Sequence, residues 1–250
     1  MTYQPMSKIL KVGDRTITCD EMVPLLKQYG LLPQLVREVI IDNALANFQL
    51  TQEETMQAYK QFYQEHKLNA EVDLQAWLES RGLERQHLNH LATRNIKLER
   101  FKKSTWGENL DSYFIQRKAK LDRVIYSLIR VNDMGLAQEL YFRIQEGEQS
   151  FSELAREFSE GPEAQTGGTL GPVELGTPHP MLANLLASSQ PGQLLPPTRL
   201  AEWIVIVRLE KFFPAMLDES IQQRLINELF ENWLQNQVKE YLQKNILVSR

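Results

Sequence analysis

FSELAREFSEGPEAQTGGTLG, residues Phe151 to Gly171, joins a short amphipathic helix to a glycine-paired turn. Phe151, Leu154, Ala155 and Phe158 recur at spacings of three and four, which puts one apolar face on a helix of 3.6-residue period. That helix is expected to end near Ser159, because Gly161-Pro162 breaks the period. Gly167-Gly168 then supplies the backbone freedom for a sharp turn before a strand starting near Leu170. Further out, Pro191-Gly192 marks another turn, and Ile204 to Val207 is a β-branched run that reads as a strand.

The flanks complete a small domain. Asp122 to Val131, DRVIYSLIRV, is rich in β-branched and aromatic residues and reads as an opening strand. Met134 to Glu146 carries Leu136, Leu140 and Ile144 on one helical face. Pro180 to Ser188 is a short helix with Met181, Leu182, Leu185 and Leu186, and Trp203 to Leu209 is the closing strand. The order strand, helix, helix, strand, helix, strand, with little connecting chain, predicts a compact antiparallel α+β domain over residues 119–213.

Both ends of the chain read differently. Residues 8–18 alternate around Gly13-Asp14 as a small hairpin. Thr18 with Glu21, and Thr51 with Glu54, are capping-box pairs that open helices. Further helices are expected from about Pro33 to Phe48, Asp73 to Ser80, Glu84 to Lys103, and through Leu110 and Tyr113 into the basic run Arg117-Lys118-Ala119-Lys120. No fixed-period repeat links them, so they form one irregular helical domain, residues 1–118. From Pro214 on, Leu217, Ile221, Leu225, Leu229, Trp233, Val238 and Leu242 keep helical spacing. Such a face needs a partner, and the N-terminal helices are the nearest available, so 214–250 completes the first domain.

Composition narrows the function. The chain has 250 residues, 42% hydrophobic and 24% charged, as in ordinary globular proteins. A net charge of −4 lacks the basic excess of a dedicated nucleic-acid binder. Cys19 is the single cysteine, which excludes an intramolecular disulfide. No apolar window approaches the roughly 20 residues of a spanning helix, and the N-terminal sequence has no apolar run of signal-peptide length. These features give no membrane insertion and a cytoplasmic location as expectations.

The pattern F-xx-LA, then Ser, then GG-x-LG, then a helix, a Gly, a Pro and a final strand resembles the parvulin family of peptidyl-prolyl isomerases, the PpiC type. A helical domain made from both chain ends, with a parvulin module inserted, looks like the SurA and PrsA group of foldases. The resemblance implies a peptidyl-prolyl cis-trans isomerase or foldase. Its partners would be unfolded or proline-containing polypeptides, held between the helical domain and the parvulin module. It implies no cofactor and no metal. Rotation about an X-Pro bond is slow because amide resonance must be lost, at a barrier of roughly 18–20 kcal/mol. The catalyst must grip the proline ring and prefer the twisted amide.

Active parvulins place two histidines on adjacent central strands and a Cys or Asp after the signature helix. Here the first histidine position falls on Tyr126, the second on Ile204 or Val205, and the Cys or Asp position on Gly161. Thr169 stands where GGDLG has its Asp. Tyr126 is therefore the candidate catalytic residue, through a phenol that keeps its proton at neutral pH. Met181, Leu182, Leu185, Leu186 and Trp203 are candidates for an apolar shelf under the proline ring, and His179 lies in the loop ahead of it. A leucine stripe at this spacing is more often core than binding face. His87 and His90 lack the Cys, Asp or Glu companions of a metal site. The missing histidines admit a second reading: a catalytically inactive parvulin-fold chaperone, or an adaptor presenting clients to maturation or export machinery.

Overall fold

The computed structural model describes residues 8–246. Residues 1–7 of the expected helical domain and 247–250 of its expected closing helix lie outside the described residues. The chain divides into two compact units, one running to Leu110 and resuming at Gln223, the other Asp111–Gln222.

The first unit opens with the antiparallel hairpin β1 (Lys8–Val12) and β2 (Arg15–Thr18). Thr18 then caps α1 (Cys19–Gln28), its backbone N–H donating to the Glu21 carboxylate at 2.9 Å. After α2 (Leu32–Leu45), Thr51 repeats the device at the start of α3 (Gln52–Glu65). Its N–H donates to Glu54 at 2.8 Å, and its hydroxyl accepts the Glu54 N–H at 3.2 Å. With α4 (Glu71–Glu79) and α5 (Leu88–Trp106), these helices bury Phe62, Leu68, Leu74, Leu78, Leu88 and Ala92 in one cluster.

The second unit runs α6 (Leu110–Leu121), β3 (Arg123–Val131), α7 (Met134–Gln145) and α8 (Phe151–Phe158). A 3-10 turn at Pro162–Thr166 leads to β4 (Thr169–Glu174), α9 (Pro180–Ala187), β5 (Leu194–Leu200) and β6 (Trp203–Phe213). Four strands form one antiparallel sheet in the order β4-β3-β6-β5. The fold is α+β, with a small antiparallel sheet flanked by helices. One sheet face packs Ile129, Val131, Ile204 and Ile206 against α7 and α8, where Leu140 and Leu154 are fully buried. Each such leucine contributes about 1.5–3 kcal/mol of transfer free energy. The other face packs Val124, Tyr126, Leu128, Val205, Val207 and Leu209 against Leu182 and Leu186 of α9.

The signature turn is set by backbone proximity. Leu128 N–H donates to the Gly168 carbonyl at 2.9 Å. Gly168 has φ +83°, and a Cβ there would stand 2.8 Å from the Leu128 carbonyl oxygen. Only glycine lets the turn lie this close to β3.

Strand β5 is absent from the order expected above, because Pro196-Pro197 reads as loop. It pairs only with β6 and so lies at the sheet edge, with a register irregularity between Leu195 and Thr198 that takes up both prolines. The long helix α10 (Glu219–Ile246) returns the chain to the first unit, where Phe230 and Leu234 pack with Ile41 and Leu45 of α2. Of the stripe expected along it, Leu225 is buried and Trp233 and Val238 pack against the same cluster, while Leu229 is only half-buried; Ile226, Phe230 and Leu234, outside that stripe, are buried beside them. Phe230 meets Phe101 and Trp106 edge-on and Trp233 at a tilt, an aromatic group that widens the inward side of the helix.

Candidate functional site

Strand alternation decides which side chains share the α9 face of the sheet. On β3 these are Val124, Tyr126 and Leu128, and Arg130 follows at the next alternate position, paired with Val205 of β6. Just beyond the end of α8, the segment 159–163 is fastened to this strand at Arg130. The Arg130 backbone N–H donates to Ser159 Oγ at 3.1 Å, and Glu160 N–H donates to the Arg130 carbonyl at 2.9 Å.

The Arg130 side chain meets Glu163 in a bidentate pair, Nε to Oε1 at 2.7 Å and Nη2 to Oε2 at 2.6 Å. Ser159 Oγ donates to the same carboxylate at 2.7 Å. The Glu163 side chain is 0% exposed and the Arg130 side chain 28%. Burial pushes the Glu163 pKa up, but the hydrogen bonds from Arg130 and Ser159 outweigh it and hold the carboxyl below its usual range. The pair fills the space beside Gly161: a Cβ on that residue would overlap both the Arg130 guanidinium and the Glu163 carboxylate.

Tyr126 is 6% exposed, with its ring inside the core cluster. No described residue hydrogen-bonds its hydroxyl, which is not among the buried polar atoms lacking a partner and so reaches solvent. Burial, then the negative charge of Glu163, raises its pKa, so the phenol stays protonated. The shelf candidates divide by exposure. Leu182 and Leu186 are core residues, 4% and 0% exposed. Leu185 and Trp203 are half-buried against the same cluster, and Met181 is exposed. His179 is exposed and caps α9, its Nδ1 accepting the Met181 N–H at 3.3 Å.

Residues 133–211 match the family model described as rotamase, PPIC-type PPIASE domain. This middle segment is a parvulin-type domain. The solved structures similar to the chain carry related names. A peptidylprolyl isomerase, PrsA, from Bacillus cereus is 21% identical, covering 97% of this chain and 93% of that one with a TM-score of 0.51. PrsA from Bacillus anthracis is 16% identical over 85% of this chain and 97% of that one, TM-score 0.45. A PpiC-type peptidyl-prolyl cis-trans isomerase domain is 24% identical over 40% of this chain and 99% of that one, TM-score 0.38. Among curated proteins no sequence matches the chain. The B. cereus likeness is one of fold.

Within the parvulin domain, the register separates the two positions left open for the second histidine. Val205 packs on the Tyr126 face, whereas Ile204 packs on the opposite face against α7 and α8. Tyr126 itself pairs with Leu209, and it lies ahead of the residues that match the family model. The feature that the sequence reading missed is the Arg130–Glu163 pair. Alternation along IYSLIR carries the signal for Arg130, but nothing in the spacing announces that Glu163 turns inward. His87 accepts the Glu84 N–H at 2.9 Å, and His90 lies 3.8 Å from Asp42. Among the described residues, no group of three or more His, Cys, Asp or Glu could hold a metal ion, and no helix is long and apolar enough to cross a membrane.

Proposed function

We propose that this chain is a parvulin-type peptidyl-prolyl cis-trans isomerase and foldase acting on unfolded or proline-containing polypeptides. The match of residues 133–211 to the PPIC-type domain, on a four-stranded sheet of order β4-β3-β6-β5, carries the reading. Peptide contact falls to the accessible members of the site, Tyr126 through its hydroxyl, with Met181, Leu185, Trp203 and His179. Leu182 and Leu186 support them from the core. The helical unit, built from both ends of the chain, supplies further contacts to extended clients, as a chaperone domain does.

Catalysis is slow in this reading, because Tyr126, Gly161 and Val205 stand where imidazole and thiol or carboxylate are expected. That same substitution favours the second reading, a catalytically inactive peptide-binding chaperone or adaptor for maturation or export machinery. Exchange NMR on a proline tetrapeptide separates the two. Uncatalysed isomerisation takes tens to hundreds of seconds at 25 °C. The isomerase reading predicts acceleration at micromolar protein; an unchanged rate with retained binding leaves the chaperone. We propose the cytoplasm as location, since a chain whose single cysteine, Cys19, is exposed draws nothing from an oxidising compartment; fractionation of cells expressing the protein tests this.

A further inference from the structure

We infer that the Arg130 guanidinium, braced by Glu163 in the space left by Gly161, contacts the bound peptide and with the Tyr126 hydroxyl hydrogen-bonds one of its carbonyl oxygens. The inference rests on the function proposed above and adds the polar half of that site.

Four observations carry it. Arg130 and Tyr126 occupy alternate positions of one strand on the α9 face, separated only by Leu128. Arg130 spends Nε and Nη2 on Glu163, while Nη1 has no partner among the described residues and the side chain is 28% exposed. The Tyr126 hydroxyl, on a ring that is itself buried, likewise has no partner among the described residues. Glu163 is held by Ser159 as well, on the oxygen that accepts from Arg130 Nε, so the bidentate pair fixes the guanidinium in orientation before any ligand arrives.

The chemistry selects which carbonyl is bound. A donor on the oxygen of the rotating amide stabilises its planar, charge-separated form and opposes rotation. Two fixed donors therefore assist only if they anchor a flanking carbonyl, leaving the X-Pro bond free to turn over the apolar side chains. A neutral backbone oxygen suits a guanidinium whose charge is already balanced by a buried carboxylate.

The competing account makes the ion pair a clamp for segment 159–163 and nothing more. Titration of the full chain with Ala-Ala-Pro-Phe amide, comparing wild type with the Arg130→Met, Glu163→Gln double variant and with Tyr126→Phe, distinguishes them. The double variant removes both charges together, which avoids leaving one buried and unpaired. We expect each to weaken binding, the double variant by about tenfold or more, as for a lost hydrogen bond to a charged group. Thermal midpoints should stay close to wild type for Tyr126→Phe. Folded variants with affinity within twofold of wild type overturn the inference and leave the isomerase reading standing. Wild-type protein that neither binds nor isomerises the peptide overturns both. Should the double variant fail to fold, the Arg130 side-chain nitrogen resonances of the wild type provide the test: a shift on saturation with peptide supports the contact, and no shift refutes it.

Discussion

Gly161 is a position where absence of a side chain is what the neighbours require. The Arg130–Glu163 pair stands where its Cβ would be. Placing a thiol there with Gly161→Cys is therefore expected to destabilise the second unit by about 1–3 kcal/mol in denaturant titration, as overpacking does. A variant as stable as wild type would show that the pair moves aside freely. Glu163 supplies a second test. Its pKa is lowered in the folded chain, against about 4.3 in an unfolded one, so its contribution to stability is complete above the unfolded value and is lost as pH falls through the folded one. Stability should drop below about pH 4.5, and Glu163→Gln should shallow that drop; identical acid profiles would contradict the assignment. Little of this was legible in advance. Alternation along β3 puts Arg130 on the Tyr126 face, but its partner comes from the 3-10 turn 33 residues later, and five residues of such a turn are too few to show a period.

Elements were readable where a local rule specifies them. The boxes at Thr18 and Thr51 start α1 and α3, and the spacing of Phe151, Leu154 and Ala155 gives α8, where the structure adds a box at Ser150 whose hydroxyl accepts the Glu153 N–H at 3.2 Å. Strand β5 was not readable, because two prolines in seven residues argue against a strand until its edge position is known. Helix α9 shows the limit most clearly: MLANLL announces a buried stripe without saying which residues stay accessible. The structure separates them. Leu186→Ala, at a fully buried position, should cost about 2–5 kcal/mol of stability. Met181→Ala, at an exposed one, should change stability by no more than about 0.5 kcal/mol while weakening proline-peptide binding measured by titration. Equal stability losses in the two variants would mean that α9 does not separate core from contact surface in this way.

At the scale of the whole molecule, the change of hydrophobic period near residue 122 and again beyond residue 213 told the sequence reading that two kinds of structure alternate. The structure has a helical unit from both chain ends and a sheet unit in the middle. The pairing of α10 with α2 through Phe230 and Ile41 is the long-range contact that the sequence only implied, through a face too apolar to remain in water. The account depends on the middle unit gripping a proline-containing peptide on its α9 face. Titration of the full chain, labelled at methionine methyls and tryptophan indoles, with Ala-Ala-Pro-Phe amide tests this most directly. Saturable shifts at Met181 and Trp203, larger than those produced by the same peptide with alanine in place of proline, are predicted. No saturable shift at either residue at millimolar peptide would contradict it.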